Sequence, residues 1–141
     1  MIGVRFGKFN LVGLMGAAVQ VLLLDLLVKQ FRLSPAAAMP AAVEMAVLHN
    51  FLWHERFTWR DREPAGLRQR AIRLGRFHAA NGLVSLGGNT LILYLLVEVL
   101  GAPALPSALA AIALCAPLNY LVADRWVYGQ SGDYKIQREM T

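Results

Sequence analysis

The sequence has a single cysteine, Cys115, among 141 residues, and only nine acidic residues against 14 lysines and arginines. One cysteine excludes a disulfide framework and a zinc site built from several thiolates. Only 16% of the residues are charged and 57% are apolar, a composition too apolar for an ordinary soluble domain. The sequence also lacks a phosphate-binding glycine loop and the spacings typical of a metal cluster or catalytic triad. We therefore expect no enzymatic activity, no metal and no cofactor.

Charge is nearly absent from four stretches that are each long enough to cross a membrane. Each stretch carries at most one Asp, Glu, Lys or Arg, and they comprise residues 9–28, 35–53, 77–100 and 102–123. A helix of about 20 apolar residues spans the roughly 30 Å hydrocarbon layer of a bilayer. The sequence therefore predicts an all-α polytopic membrane protein with four transmembrane helices.

The basic residues lie mainly on one side of these four predicted spans. The N-terminus, the region between the second and third spans, and the C-terminal end hold 12 of the 14 lysines and arginines, whereas the opposite loops hold only Lys29 and Arg32. The positive-inside rule then places both termini in the cytoplasm. The basic pattern of residues 66–77 fits either an amphipathic helix on anionic headgroups or an arginine-rich link that only fixes topology.

One unusual phrase is written twice, as HNFLWHERFTW at residues 49–59 and as LNYLVADRWVY at residues 118–128. A shift of 69 residues aligns its asparagine, its acid–arginine pair and its aromatic residues, and a shift of 68 aligns KF at residues 8–9 with RF at residues 76–77. We therefore predict two tandem, parallel helical hairpins related by a pseudo-two-fold axis along the membrane normal. The predicted parts are a first repeat at about 5–60, a basic cytoplasmic connection at about 60–76, a second repeat at about 76–128 and a polar tail at 129–141.

These motifs resemble those of the GtrA-like family, and the stretch RFHAANGLVSLGGN at residues 76–89 is similar to one branch of it. The resemblance extends over roughly residues 5–128. Many members have Asn-x-x-Trp-Thr-Phe, whereas this chain has FTW at residues 57–59 and WVY at residues 126–128. The resemblance implies a small four-span protein of the bacterial cytoplasmic membrane that moves polyprenyl-phosphate-linked sugars for O-antigen, teichoic acid or arabinan.

The repeated phrase supplies three sets of candidate functional residues. Guanidinium forks suit phosphate oxygens and amides suit sugar hydroxyls, so headgroup binding is predicted for Arg56, Arg125, Asn50 and Asn119. Two acids predict ion pairs at the helix ends, which is the alternative, structural explanation of the arginines: Glu55 and Asp124. An interfacial aromatic belt is predicted for Phe57, Trp59, Trp126 and Tyr128.

Polar residues inside the apolar runs form a fourth set, because such groups are costly in a membrane. The candidates for a translocation path or for coupling are Glu44, His49, Asn81, Ser85, Asn89 and Asp25. Glu44 can exchange a proton, pair with His49 or serve as a structural acid, and Asp25 can be a snorkelling group at the outer surface. The stripe at residues 81, 85 and 89 predicts either a packing seam or a sugar path. Gly13 and Ala17 predict close helix packing.

Three functions fit these features. The favoured one is translocation of a polyprenyl-phosphate-linked monosaccharide. The alternatives are a non-transporting partner that recruits or stabilises a glycosyltransferase, and a small proton-coupled exporter. The paired arginines favour an anionic ligand and argue against the exporter. We expect membrane lipid and the lipid-linked sugar as partners, with a glycosyltransferase as a further one and no nucleic acid, and a homodimer or larger assembly because four spans make a narrow bundle.

Overall fold

A computed structural model describes residues 2–62, 64 and 66–129 of the chain, and every secondary-structure element in these ranges is helical. Apart from Gly129, the predicted polar tail lies outside the described residues. Five α-helices follow each other along the chain: α1 (Ile2–Lys29), α2 (Pro35–Trp53), α3 (Leu67–Ala80), α4 (Asn89–Tyr94) and α5 (Ala104–Val122). Four π-helical segments continue them: π1 (His54–Thr58), π2 (Asn81–Gly88), π3 (Leu95–Val99) and π4 (Ala123–Val127).

The π-helical segments extend the α-helices without a break, because the residues at the junctions keep right-handed helical backbone angles. Segments α3, π2, α4 and π3 therefore form one helix, Leu67–Val99, of 33 residues. At 1.5 Å per residue this helix is about 50 Å long, more than a hydrocarbon layer requires. The basic stretch that starts at Leu67 is thus the first part of this long helix, and it does not form a separate surface helix.

Three helices are long and apolar enough to cross a membrane: Gly3–Lys29, Leu67–Val99 and Ala104–Val127. Helix α2 is not among them, and Glu44, His49 and Asn50 lower its mean hydropathy. Large apolar side chains such as Leu14, Leu22 and Leu83 are exposed on the outside of these helices. Lipid satisfies such a surface, whereas water does not.

The chain divides into two compact units, which we describe separately: unit 1 (Met1–Glu63) and unit 2 (Pro64–Thr141). In unit 1, α1 packs against α2. Helix α2 begins after Ser34, whose hydroxyl accepts a hydrogen bond from the backbone N–H of Ala37 at 3.3 Å, and Pro35 occupies the first helical position. Both residues are favourable at a helix start because neither leaves an N–H group unsatisfied there.

In unit 2, the helix Leu67–Val99 packs against α5. It ends shortly before Gly101, whose φ of 67° lies in the left-handed region that glycine adopts without strain. Pro103 precedes α5, and its carbonyl accepts a hydrogen bond of 2.8 Å from the Ser107 hydroxyl. These residues make the tight connection that brings the two helices of the unit together.

The interior of each unit is built on a seam of small residues. Every fourth residue of α2 is buried at Ala38, Ala42 and Ala46, and the same spacing recurs in α5 at Ser107, Ala111 and Cys115. Small side chains let helix backbones approach closely, which favours association in lipid. On α1 the buried positions are Val12 and Gly16, whereas Gly13 and Ala17 are exposed on unit 1.

Candidate functional site

The repeated phrase folds in the same way in the two units. Helices α2 and α5 each contain 19 residues and each continue into a π-helical turn of five residues, and all of these bounds differ by 69. The aromatic residue after each turn donates its backbone N–H to the carbonyl of the first residue of that turn. The N···O distance is 2.8 Å from Trp59 to His54 and 2.9 Å from Tyr128 to Ala123. Short π-helical turns occur frequently at functional sites.

The last aromatic residue of each phrase fills the interior of its unit. Trp59 and Tyr128 are both 0% exposed. The Trp59 ring meets Phe9 edge-on, with 5.9 Å between centroids, and Tyr128 meets Phe77 in the same way at 6.5 Å. These two aromatic residues therefore pack inside the units and do not face the membrane surface, where the belt was predicted. Trp126 is 45% exposed, so the prediction of an interfacial belt remains open for it.

Phe57, the other member of that set, is half-buried, and it is part of a contact that ties the start of hairpin 1 to its end. Lys8 places its ammonium nitrogen 4.7 Å from the Phe57 ring centroid. In unit 2 the corresponding basic residue, Arg76, donates from Nη1 to the carbonyl of Trp126 at 3.2 Å. A cation over an aromatic face and a charge-assisted hydrogen bond are both favourable at a membrane surface.

His54 adds a second aromatic layer below Trp59 in unit 1. It lies beyond the apolar run 35–53, stacks on Phe9 at 4.9 Å between centroids, and its Nδ1 lies 3.0 Å from the Thr58 hydroxyl. Burial, with a smaller contribution from His49, lowers the pKa of His54 from 6.5 to about 3. The imidazole is therefore neutral at physiological pH and serves as a packing group.

The two motif arginines point away from their units. Arg56 and Arg125 are exposed, and within residues 2–62, 64 and 66–129 neither guanidinium has a hydrogen bond or ion pair. The adjacent acids face other directions, because neighbouring residues on a helix are rotated by roughly 100°. Glu55 is buried and Asp124 is half-buried. Both arginines are thus available for an external anion.

The motif asparagines contact the first helix of their own hairpin. The Asn50 amide lies so close to Gly16 that a Cβ atom there would collide with it, and its Oδ1 lies 3.4 Å from His49 Nδ1. Asn119 donates from Nδ2 to the Ser85 hydroxyl at 2.9 Å, and that hydroxyl donates to Asn81 Oδ1 at 3.0 Å. The partner of the asparagine is therefore a glycine in unit 1 and a serine in unit 2, 69 residues apart.

A one-residue change of register separates the two hairpins, and the structure explains it. Phe9 and Phe77, which make equivalent contacts, are 68 residues apart, whereas Gly16 and Ser85 are 69 apart. The segment π2, Asn81–Gly88, lies in this interval, and α1 has no such segment. A π-helical turn closes with i→i+5 hydrogen bonds and so holds one more residue than an α-helical turn. The extra residue is absorbed there.

The remaining candidates occupy different environments. Asn89 Oδ1 is buried and has no hydrogen-bond partner in the part of the chain that the structure describes, so the predicted stripe is only joined at Asn81 and Ser85. Asp25 forms an ion pair of 2.7 Å with Lys29 one turn away. Glu44 is exposed on α2, and the partners that the structure gives His49 are Asn50 and Trp53.

We expect the Asn119–Ser85 hydrogen bond to stabilise unit 2 by about 0.6–1.7 kcal/mol, the range for interhelical polar contacts in membranes. A double-mutant cycle of Ser85→Ala and Asn119→Ala, followed by unfolding in mixed detergent micelles, measures this coupling. Thr90→Ala, at an exposed position of the same long helix, is the control and should change the free energy of unfolding little. Additive effects of the two substitutions would contradict the contact.

Comparison with known proteins agrees with this geometry. A model of the family described as GtrA/DPMS, transmembrane domain, matches residues 8–128. The match thus begins at Lys8 and ends at Tyr128, the residues whose contacts tie each hairpin together. A search of the curated proteins finds no match. Because the family model extends over most of the chain, this multi-pass membrane protein belongs to the GtrA/DPMS transmembrane domain family.

Proposed function

We propose that the protein moves a polyprenyl-phosphate-linked monosaccharide from one leaflet of the membrane to the other. Membership of the GtrA/DPMS family suggests a part in membrane processes that involve polyprenyl-phosphate-linked sugars. The observation that carries the proposal is the pair of exposed arginines, Arg56 and Arg125, each at the end of a long apolar helix and without an ion pair among the described residues. A guanidinium offers two parallel donors to phosphate oxygens and retains its charge at every physiological pH.

The topology that accompanies this function has four spans, arranged as two tandem hairpins with both termini in the cytoplasm. Matching helix bounds, matching buried positions and matching aromatic contacts in the two units support the duplication. The bias of basic residues supports the orientation. In this arrangement both arginines lie in the headgroup layer of the cytoplasmic leaflet, where the phosphate of the substrate is also found.

Polar side chains beyond the arginines suit the sugar. Asn50 and Asn119 lie six residues further along their helices, about 9 Å deeper in the membrane. Their amides can donate to and accept from sugar hydroxyls, and Asn89 Oδ1 offers a further buried acceptor. Glu44 is placed to supply coupling by taking up a proton, since an acid within a membrane helix is rarely without a function. The prenyl tail remains in lipid throughout.

The setting of the proposed activity is the cytoplasmic membrane of a bacterium. A homodimer or larger assembly completes the path, because four spans are too narrow to enclose a glycosylated headgroup. The protein itself carries out no chemical reaction in this proposal, and a separate glycosyltransferase uses the sugar after it has crossed the membrane.

Purified protein in liposomes that contain a polyprenyl-phosphate-sugar tests the proposal. The exposure of the sugar to external periodate, which does not cross the bilayer, reports the rate of flipping. We expect faster exposure than in protein-free liposomes, and at least a tenfold slower rate for Arg56→Ala and for Arg125→Ala, on the order of one lost charge-assisted contact. Arg60→Ala, an exposed arginine just beyond the first motif, is the matched control and should flip normally.

Two results would contradict the proposal. Wild-type protein that does not accelerate exposure, although it is folded and the substrate is verified, would favour the function of a glycosyltransferase partner. Equal loss of activity for Arg60→Ala and for the motif arginines would show that general surface charge is what matters, and that no phosphate site exists at the motif.

A further inference from the structure

Unit 1 carries a row of aromatic rings along one side of its second helix. His49, Trp53 and Phe57 are spaced four residues apart, with ring centroids 6.2 Å apart for the first pair and 6.4 Å for the second. Trp53 is 43% exposed, and its two neighbours are half-buried. We call these three residues the aromatic track.

The hairpin fold does not require the aromatic track. In unit 2, the corresponding positions 69 residues later are Leu118, Val122 and Trp126, so two of the three rings are replaced by aliphatic side chains. That hairpin nevertheless has the same helix bounds and the same buried small residues. The interior of unit 1 is filled by other side chains, among them Phe51 and Trp59, which are almost fully buried. The rings of the track therefore serve something outside the packing of the unit.

Polar and charged groups lie at the two ends of the track. Next to Phe57 are Arg56, whose guanidinium is exposed, and the ammonium group of Lys8 over the ring. Next to His49 is the amide of Asn50. The track rises over eight residues, which corresponds to about 12 Å along the helix. A row of rings with cations at one end and an amide at the other is complementary to a sugar that carries a phosphate.

Aromatic rings and sugars attract each other because the C–H groups on one face of a sugar ring are slightly positive and the face of an aromatic ring is negative. Sites for such ligands combine apolar aromatic walls with a few polar groups that fix orientation. Indole has the largest face of the three rings in the track, and Trp53 lies at its centre with almost half of its surface accessible.

We propose that the aromatic track is the sugar-binding surface of the protein: the C–H face of the sugar stacks on Trp53 while Arg56 holds the phosphate. This inference rests on the proposed function and adds to it the element that distinguishes a glycosylated lipid from a bare prenyl phosphate. It also assigns the two hairpins different tasks, because only unit 1 has the track.

Binding of short, soluble lipids to the purified full-length protein tests the assignment. The probes are farnesyl-phosphate-glucose, its arabinose counterpart and farnesyl phosphate, titrated by calorimetry. Wild-type protein should bind at least one glycosylated probe about tenfold more tightly than farnesyl phosphate, the effect of one good aromatic contact. Trp53→Leu should remove that preference and leave the affinity for farnesyl phosphate within about twofold, whereas Trp53→Phe should retain most of it. Arg56→Ala should weaken the binding of all three probes.

The controls separate this inference from the proposed function. Val122→Leu, at the equivalent position of unit 2, should leave the preference for the sugar unchanged. Wild-type protein without any preference for a glycosylated probe, or Trp53→Leu protein that retains it, would overturn the assignment of the track. If Trp53→Leu protein also flips a polyprenyl-phosphate-sugar at the wild-type rate, the proposed function stands and the track is not the sugar site. Protein that binds none of the probes and does not flip would overturn both.

Discussion

Replacing Trp59 by alanine is expected to destabilise the protein by about 3 kcal/mol. The indole is fully buried and contacts the Phe9 and His54 rings, so its removal leaves a cavity where the end of the second helix meets the first. Aromatic-to-alanine changes in cores cost about 3–5 kcal/mol, and we expect the lower end because lipid provides less of a hydrophobic driving force than water does. The unfolding free energy in mixed detergent micelles measures the loss.

Trp126→Ala is the matched control for this prediction. Trp126 is also an aromatic residue of the repeated phrase, but it is 45% exposed, so its removal leaves no comparable cavity. We expect its free energy of unfolding to stay within about 1 kcal/mol of the wild-type value. If the two alanine variants were equally stable, the buried position of Trp59 would be refuted.

The second large effect is expected for Gly16→Ala. A methyl group at this position collides with the Asn50 amide, and the asparagine must turn away from α1 to make room. Overpacking of this kind costs about 1–3 kcal/mol, which exceeds the gain of up to about 1 kcal/mol that alanine brings to a helix. We therefore expect a net loss of stability in detergent and, because Asn50 leaves its place, slower flipping in liposomes.

Gly13→Ala provides the control within the same helix, since no atom lies within 4 Å of the Cβ that would be added there. Its stability should equal or slightly exceed that of the wild type. The double variant Gly16→Ala with Asn50→Ala should recover stability relative to Gly16→Ala alone, because the clash is removed. An unchanged melting temperature for Gly16→Ala would show that the asparagine does not pack against this glycine.

The two hairpins share a frame but differ where polar groups enter it. The position that faces the motif asparagine is Gly16 in unit 1 and Ser85 in unit 2, and only unit 2 continues from there into a chain of hydrogen bonds to Asn81. Unit 1 instead has the aromatic track. We infer that the duplication kept the residues that close each hairpin, and that the helix faces then diverged towards different contacts with the substrate.

The helices and the repeated phrase followed from the sequence because both are local properties of the chain. Runs of apolar residues determine where a helix can lie in lipid, and residues 9–28, 77–100 and 102–123 fall within the three helices that are long and apolar enough to span it. The shifts of 68 and 69 could also be read from the letters alone. The family assignment from these motifs is confirmed by the match over residues 8–128.

Packing within each unit did not follow, because helical spacing alone does not say which face a neighbouring helix covers. The spacing of Gly13 and Ala17 predicts a seam, but the buried face of α1 carries Val12 and Gly16. The sequence likewise gave no reason to separate Trp59 and Tyr128 from the more exposed aromatic residues. The π-helical turn at each motif end rotates the chain there, so that the last aromatic residue points inwards while the arginine points outwards.

The aromatic track lies between these two cases. Its spacing of four residues is visible in HNFLWHERF, yet many helices have rings at this spacing for packing alone. Its accessible surface became known only with the hairpin, in which Trp53 lies outside the buried seam. The sequence by itself determined the membrane class, the motifs and the family, since these depend on composition and order along the chain. The tertiary structure decided which motif residues are buried and which are left for a ligand, because burial depends on the opposing helix.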